Sequence, residues 1–112
     1  RWRIGLVSYC NYDENVTRLT HLSRSNKQAY AWLHSHELFH FEEPFVTQAH
    51  PWMNKLLAIE RKLQDFEWIF WVDCDLFFVN PKLSVHTLVA EAVRQNPDVS
   101  LIITEDGMML NS

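Results

Sequence analysis

Asp73-Cys74-Asp75 interrupts an apolar stretch that runs from Trp68 to Val79. Two carboxylates in such a setting are costly unless they are paired or bound to a cation. Strand alternation sends the side chains of residues 73 and 75 to one side, with Cys74 opposite. A converging pair of this kind suits a hard divalent cation, Mn²⁺ or Mg²⁺, with a diphosphate supplying further oxygens. Such a metal acts as a Lewis acid on a departing diphosphate. The plainer alternative makes both residues turn formers that cap the next helix. Asn80-Pro81 already provides a turn, however, and Phe77, Phe78 and Val79 continue the apolar run, which favours the cation.

The elements that must position this pair follow from periodicity. Arg3–Tyr9, Glu37–Phe41, Glu67–Val72 and Val99–Ile103 are apolar runs of strand length, the last two near-continuous as in strands buried on both faces. Helical patterns lie between them. One runs from Asn15 to His34, with Leu19, Leu22, Asn26, Ala29, Tyr30 and Leu33 near a 3.6 period and Asn15 or Asp13 as the cap. A second runs from Pro51 to Gln64 on Met53, Leu56, Leu57 and Leu63, with Pro51 at the first helical position. A third follows Asn80-Pro81, capped by Ser84 and ended by Asn96-Pro97-Asp98. The order β-α-β-α-β-α-β predicts a parallel sheet with helices on its faces. Ligands then sit outside the carboxyl ends of the strands, which singles out Ser8–Asp13, Phe41–Glu43, Asp73–Asp75 and Thr104–Asp106.

Other side chains carry weaker signals. Lys55 lies one helical turn beyond Pro51, within reach of a phosphate, or is an ordinary solvated helix residue. Asp106 before Gly107 is as well explained by a turn. His34, His36 and His40 have no acidic or Cys partner at zinc-site spacing. Trp68, Phe70, Trp71, Phe77 and Phe78 read as core, and Trp52 as a lesser candidate for ligand contact. Cys10 and Cys74 both follow strands that a doubly wound sheet could place side by side, but a disulfide there would crowd the site, so two free thiols are expected. Asn15-Val16-Thr17 is a glycosylation sequon.

Length and composition bound the function classes. The chain has 112 residues, 47% of them hydrophobic, enough for one domain with a core. A net charge of −4 without a basic run argues against nucleic acid or an anionic membrane surface as partner. No apolar stretch approaches the ~18–20 residues of a membrane-spanning helix. The chain starts at Arg1 and stops at Ser112 without a flanking linker, and is read as a piece of a longer protein.

Trp71-Val72-Asp73-Cys74-Asp75-Leu76-Phe77-Phe78-Val79-Asn80-Pro81 resembles the Asp-x-Asp segment of glycosyltransferase family 34, which includes fungal α-galactosyl- and α-mannosyltransferases and plant xyloglucan xylosyltransferases. Asn26-Lys27-Gln28-Ala29-Tyr30-Ala31 resembles the family's Asn-basic-x-x-Tyr-Ala helix, Trp52-Met53-Asn54-Lys55 its Trp-x-x-Lys, and Asp106-Gly107-Met108-Met109-Leu110-Asn111 its Asp-x-x-x-Leu-Asn. The segments occur in the right order over most of the chain, and their combination is what is specific.

The resemblance implies an α/β GT-A fold and a retaining, Mn²⁺-dependent (or Mg²⁺-dependent) transfer of a hexose or pentose from a nucleoside diphosphate sugar to a glycan acceptor. It makes Asp75 the direct metal ligand and has Asp73 hold the ribose or a metal-bound water. It puts Asp106 and Asn111 near the donor sugar and acceptor, and Lys55 with the Ser8–Asn11 turn near the nucleotide. Residues 1–112 then form the nucleotide-sugar-binding half of a catalytic domain, truncated before a downstream His ligand and inactive alone. The implied setting is the Golgi lumen, in a type II membrane protein whose N-terminal anchor lies outside this chain. Homo- or hetero-oligomers with other transferases are open partners.

Two further readings compete. A haloacid-dehalogenase-like phosphohydrolase also places Asp-x-Asp after a buried strand, with the first Asp as nucleophile and the second as general acid. Phe77 stands where that family has Thr or Val, and a long βαβα segment precedes the motif. A non-catalytic nucleotide-sugar-binding domain is the third reading. Donor base, sugar and linkage depend on pocket shape and are not legible in these residues.

Overall fold

A computed structural model describes residues 2–47 and 50–102. The chain runs β1 (Ile4–Tyr9), α1 (Leu19–His34), β2 (Glu37–Phe41), α2 (Pro51–Leu63), β3 (Trp68–Trp71) and α3 (Val85–Gln95). The three strands form one parallel sheet in the order β2-β1-β3. This is the expected α/β alternation and is compatible with a part of a GT-A-type fold. Val7 pairs with Phe39 on one side and Trp71 on the other, so all three strands end at the same edge of the sheet.

The central strand β1 takes the burial that its composition favours: Ile4, Leu6 and Val7 are at most 3% exposed. Gly5 is required by a close approach, because a Cβ there would stand 3.0 Å from Phe66 Cδ2. Leu6 and Ile4 form the core with Tyr30 and Ala31 of α1 and Val85 and Val89 of α3. Two helix starts match their sequence signals. Pro51 opens α2 behind His50, whose Nδ1 accepts from Trp52 N at 3.4 Å. Ser84 caps α3, its hydroxyl accepting from His86 N at 3.1 Å.

Several expectations are corrected. Helix α1 starts at Leu19 and not at Asn15, and its capping position, Arg18, makes no side-chain cap. Asp13 instead builds a separate turn, accepting from Asn15 N at 2.9 Å, and Thr17 Oγ1 accepts from Leu19 N at 3.2 Å. The buried face of α1 carries Thr20, Ser23, Lys27, Tyr30 and Ala31, while Leu22 and Leu33 are half-exposed. The packed face of α2 centres on Asn54 and Ala58, leaving Leu56 and Leu63 outward. Strand β3 is only half-buried, because it lies at the sheet edge among the described residues. Residues 99–102 form no strand, and Leu101 is 71% exposed, with no neighbouring strand to pair with among the described residues. The remainder of that expected strand lies outside them.

Candidate functional site

The carboxyl ends of the three strands open onto a cleft of about 540 Å³. Tyr9, Asn11 and Tyr12 contribute from the end of β1, Pro44 and Thr47 from the segment after β2, and Trp52, Asn54 and Lys55 from the first turns of α2. Trp71, Asp73, Cys74 and Asp75 complete it from the end of β3. The cleft therefore sits where the strand order predicted a ligand.

The acidic pair reaches this cleft by a route other than strand alternation. Strand β3 ends at Trp71, and Asp73–Leu76 form a turn closed by Leu76 N donating to the Asp73 carbonyl at 3.1 Å. Asp73 Oδ1 accepts from the Trp71 indole N–H at 2.6 Å and pairs with Lys55 Nζ at 3.2 Å. Lys55 Nζ also lies 5.2 Å from the centre of the Trp71 ring, a cation–π distance. Asp75, with its carboxylate on the rim, is exposed. The Asp73–Lys55 pair is partly open to solvent, so it contributes orientation more than stability.

Beneath the turn, Cys74 is bonded to Cys10 in a disulfide with Cα atoms 5.2 Å apart. The expectation of two free thiols is wrong. The strands do lie side by side, as the sequence allowed, but both cysteines are buried, and Cys74 lines the cleft while Cys10 does not. By closing a sequence separation of 64 residues, it ties the acidic turn to the end of β1.

Helix α1 holds the same segment from the side. Asn26 Oδ1 accepts from Phe78 N at 2.8 Å while its Nδ2 donates to the Phe78 carbonyl at 3.1 Å. Tyr30 stacks on Phe78 with ring centres 3.7 Å apart, donates to the Leu83 carbonyl at 2.5 Å and accepts from Val85 N at 3.2 Å. Lys27, fully buried, donates to the carbonyls of Leu76 at 2.9 Å and Cys74 at 3.3 Å. Burial pushes its pKa down to about 8, against the pull of Asp75 and Asp73.

Of the expected site residues, Asn11, Lys55, Asp73 and Asp75 come together. Ser8 does not join them. It is fully buried in β1, its hydroxyl without a hydrogen-bond partner among the described residues. Asp106 and Asn111 lie outside the described residues. Trp52 lines the cleft, and Trp71, expected in the core, is a cleft residue that orients Asp73. The available signal for Trp71 was its place two residues before the first Asp, where a strand end turns both toward the same edge. His34 and His36 occupy the opposite end of the sheet, with His34 Nε2 2.5 Å from the Pro81 carbonyl. His40 pairs instead with Glu42 at 2.9 Å.

Among the described residues, no group of three or more His, Cys, Asp or Glu side chains could hold a metal ion. The donor set is two carboxylates, one of whose oxygens is shared with Lys55 and Trp71. That set fits a Mn²⁺ or Mg²⁺ ion carried largely by substrate phosphates, not an all-protein cage.

A sequence profile of the galactosyl transferase GMA12/MNN10 family matches residues 6–106, nearly the whole chain. Neither a curated protein nor a solved structure gives a significant match.

Proposed function

Because the chain belongs to the galactosyl transferase GMA12/MNN10 family of glycosyltransferases, we propose that it moves a hexose or pentose from a nucleoside diphosphate sugar to a glycan, with retention at the anomeric carbon. Family membership favours this over the phosphohydrolase reading. The observation that carries the site assignment is the convergence of Asp73, Asp75 and Lys55 on one cleft at the carboxyl ends of a parallel sheet.

In this reading Asp75 and Asp73 would hold the cation, which would offset charge on the departing diphosphate. Lys55 and the start of α2 face the same anion, a helix N-terminus favouring negative charge. The Trp71 indole keeps Asp73 turned toward the cleft, and Asn11, Tyr9 and Tyr12 form the wall beside the nucleotide. Asp106 and Asn111 are assigned to the donor sugar and acceptor. Residues 1–112 then serve as the nucleotide-sugar-binding half of a catalytic domain.

We place the domain in the Golgi lumen, attached through an N-terminal anchor. No helix among the described residues is long and apolar enough to cross a membrane. The Cys10–Cys74 bridge supports an oxidising compartment, and the sequon at Asn15 lies exposed ahead of α1.

The test is transfer from radiolabelled nucleotide sugars by the full-length protein, comparing wild type with the Asp73→Asn, Asp75→Asn double variant. Loss on the order of a thousandfold is expected. Undiminished transfer by the double variant would contradict the assignment.

A further inference from the structure

The buried stripe of α1 is polar where a packed helix is normally apolar, and its centre is Lys27. The side chain is 0% exposed and does not line the cleft. An ammonium has three protons, and three oxygens receive them: Ser23 Oγ one turn earlier on α1, the Leu76 carbonyl and the Cys74 carbonyl. The Phe77 ring lies 5.3 Å from Nζ. No carboxylate forms an ion pair with Lys27 among the described residues, and Asp73 and Asp75 balance its charge at longer range.

Ser23 is itself held in place. Its Oγ lies 3.3 Å from His40 Nε2, and His40 Nδ1 lies 2.9 Å from Glu42 Oε2, which Arg24 also grips. One assignment of protons satisfies the whole row: Lys27 donates to Ser23, Ser23 donates to neutral His40, and His40 donates to Glu42. Burial lowers the His40 pKa, in keeping with the neutral ring. The row leads from the surface pair Arg24–Glu42 to the underside of the acidic turn.

We infer that Lys27 is a positioning residue for the cation–diphosphate site: anchored by Ser23, its ammonium fixes the carbonyls of Cys74 and Leu76 on either side of Asp75 and so sets how the Asp75 carboxylate faces the cleft. This rests on the donor-site reading of that cleft. A buried charge is kept here at a desolvation cost that an apolar residue would avoid, and what it provides is a defined turn beneath two carboxylates. Simple electrostatics makes the opposite forecast, because a cation close below the site repels a divalent ion, so removing Lys27 would tighten Mn²⁺ binding.

The experiment is calorimetric titration of the full-length protein with UDP, or with GDP where that is the nucleotide the wild type binds, with and without Mn²⁺, for wild type, Lys27→Met and Ser23→Ala, with thermal melting of each. Lys27→Met is expected to weaken Mn²⁺-dependent UDP binding about tenfold or more, the usual scale for residues that orient metal ligands, and to leave metal-free UDP binding within about twofold. Ser23→Ala, which removes one anchor and keeps both carbonyl contacts, is expected to lose about two- to fivefold in the same Mn²⁺-dependent component. A folded Lys27→Met protein that binds UDP with Mn²⁺ as tightly as wild type, or more tightly, overturns the inference. If Lys27→Met does not fold, Ser23→Ala decides, and unchanged Mn²⁺-dependent binding overturns it. A wild type without Mn²⁺-linked binding of either UDP or GDP fails at an earlier step and removes the donor-site reading together with this one.

Discussion

The two walls of the cleft are built differently. The wall after β3, carrying Asp73 and Asp75, is tied down by the Cys10–Cys74 bridge and by Asn26, Lys27 and Tyr30 of α1, which engage backbone groups from Cys74 to Val85. Among the described residues, the wall after β2, carrying Pro44 and Thr47, takes its hydrogen bonds from one side chain, with Phe45 also packed against Phe41 and Arg61. Buried Asn54 accepts from Phe45 N at 2.7 Å and Val46 N at 3.1 Å, and donates to the Val46 carbonyl at 3.3 Å. The difference separates two tasks. On the proposed donor-site reading, carboxylates that converge on a cation gain from a preorganised turn, whereas a wall that only encloses the ligand needs fewer ties.

Breaking the bridge should have the largest effect on stability. A Cys10→Ser, Cys74→Ser variant is expected to lose about 4 kcal/mol, the usual scale for a closed loop of this length, read as a lower urea midpoint. Asn26→Ala and Asn54→Ala come next, each leaving backbone groups unpaired at about 1–3 kcal/mol. They sharpen the comparison through binding: Asn26→Ala should weaken Mn²⁺-dependent UDP binding, and Asn54→Ala should weaken UDP binding equally with and without Mn²⁺. Equal losses of metal dependence in both variants would contradict the division of tasks.

A smaller effect follows from pH. The folded Lys27 pKa of about 8 lies below the ordinary 10.5, so between those values the unfolded chain binds more protons. Stability of the wild type should therefore rise with pH from about 8 toward 9.5, before Tyr30, whose pKa burial raises, begins to oppose it. The Lys27→Met variant should lack that rise in urea titrations across the same range. The smallest effect is expected from Trp52→Ala, on the cleft rim and 51% exposed. It should change UDP affinity by about 1 kcal/mol or less, with no change in metal dependence.

The sheet was legible because its strands are apolar runs separated by amphipathic helices, and the caps at Pro51 and Ser84 are local chemistry that tertiary packing does not override. The acidic pair was legible for a related reason, since carboxylates inside an apolar stretch demand a partner. Helix α1 was misread on its buried face because Ser23 and Lys27 are buried by what they hold, not by their own hydrophobicity. Patterns of that kind fail at functional sites first. The Cys10–Cys74 bridge is not legible because strand spacing alone does not show that the turn at Asp73–Leu76 buries Cys74 beside Cys10. The row of Lys27, Ser23, His40 and Glu42 joins residues from two elements and has no sequence spacing of its own.

The cleft at the strand ends is proposed to hold a nucleoside diphosphate through a cation on Asp75 and Asp73. Calorimetric titration of the full-length protein with UDP and GDP, with and without Mn²⁺, beside Asp75→Ala, tests it most directly. The expected result is binding of one nucleotide that depends on Mn²⁺ and disappears in Asp75→Ala, with the preferred base narrowing the donor. Nucleotide binding that is indifferent to Mn²⁺ and retained by Asp75→Ala would contradict it.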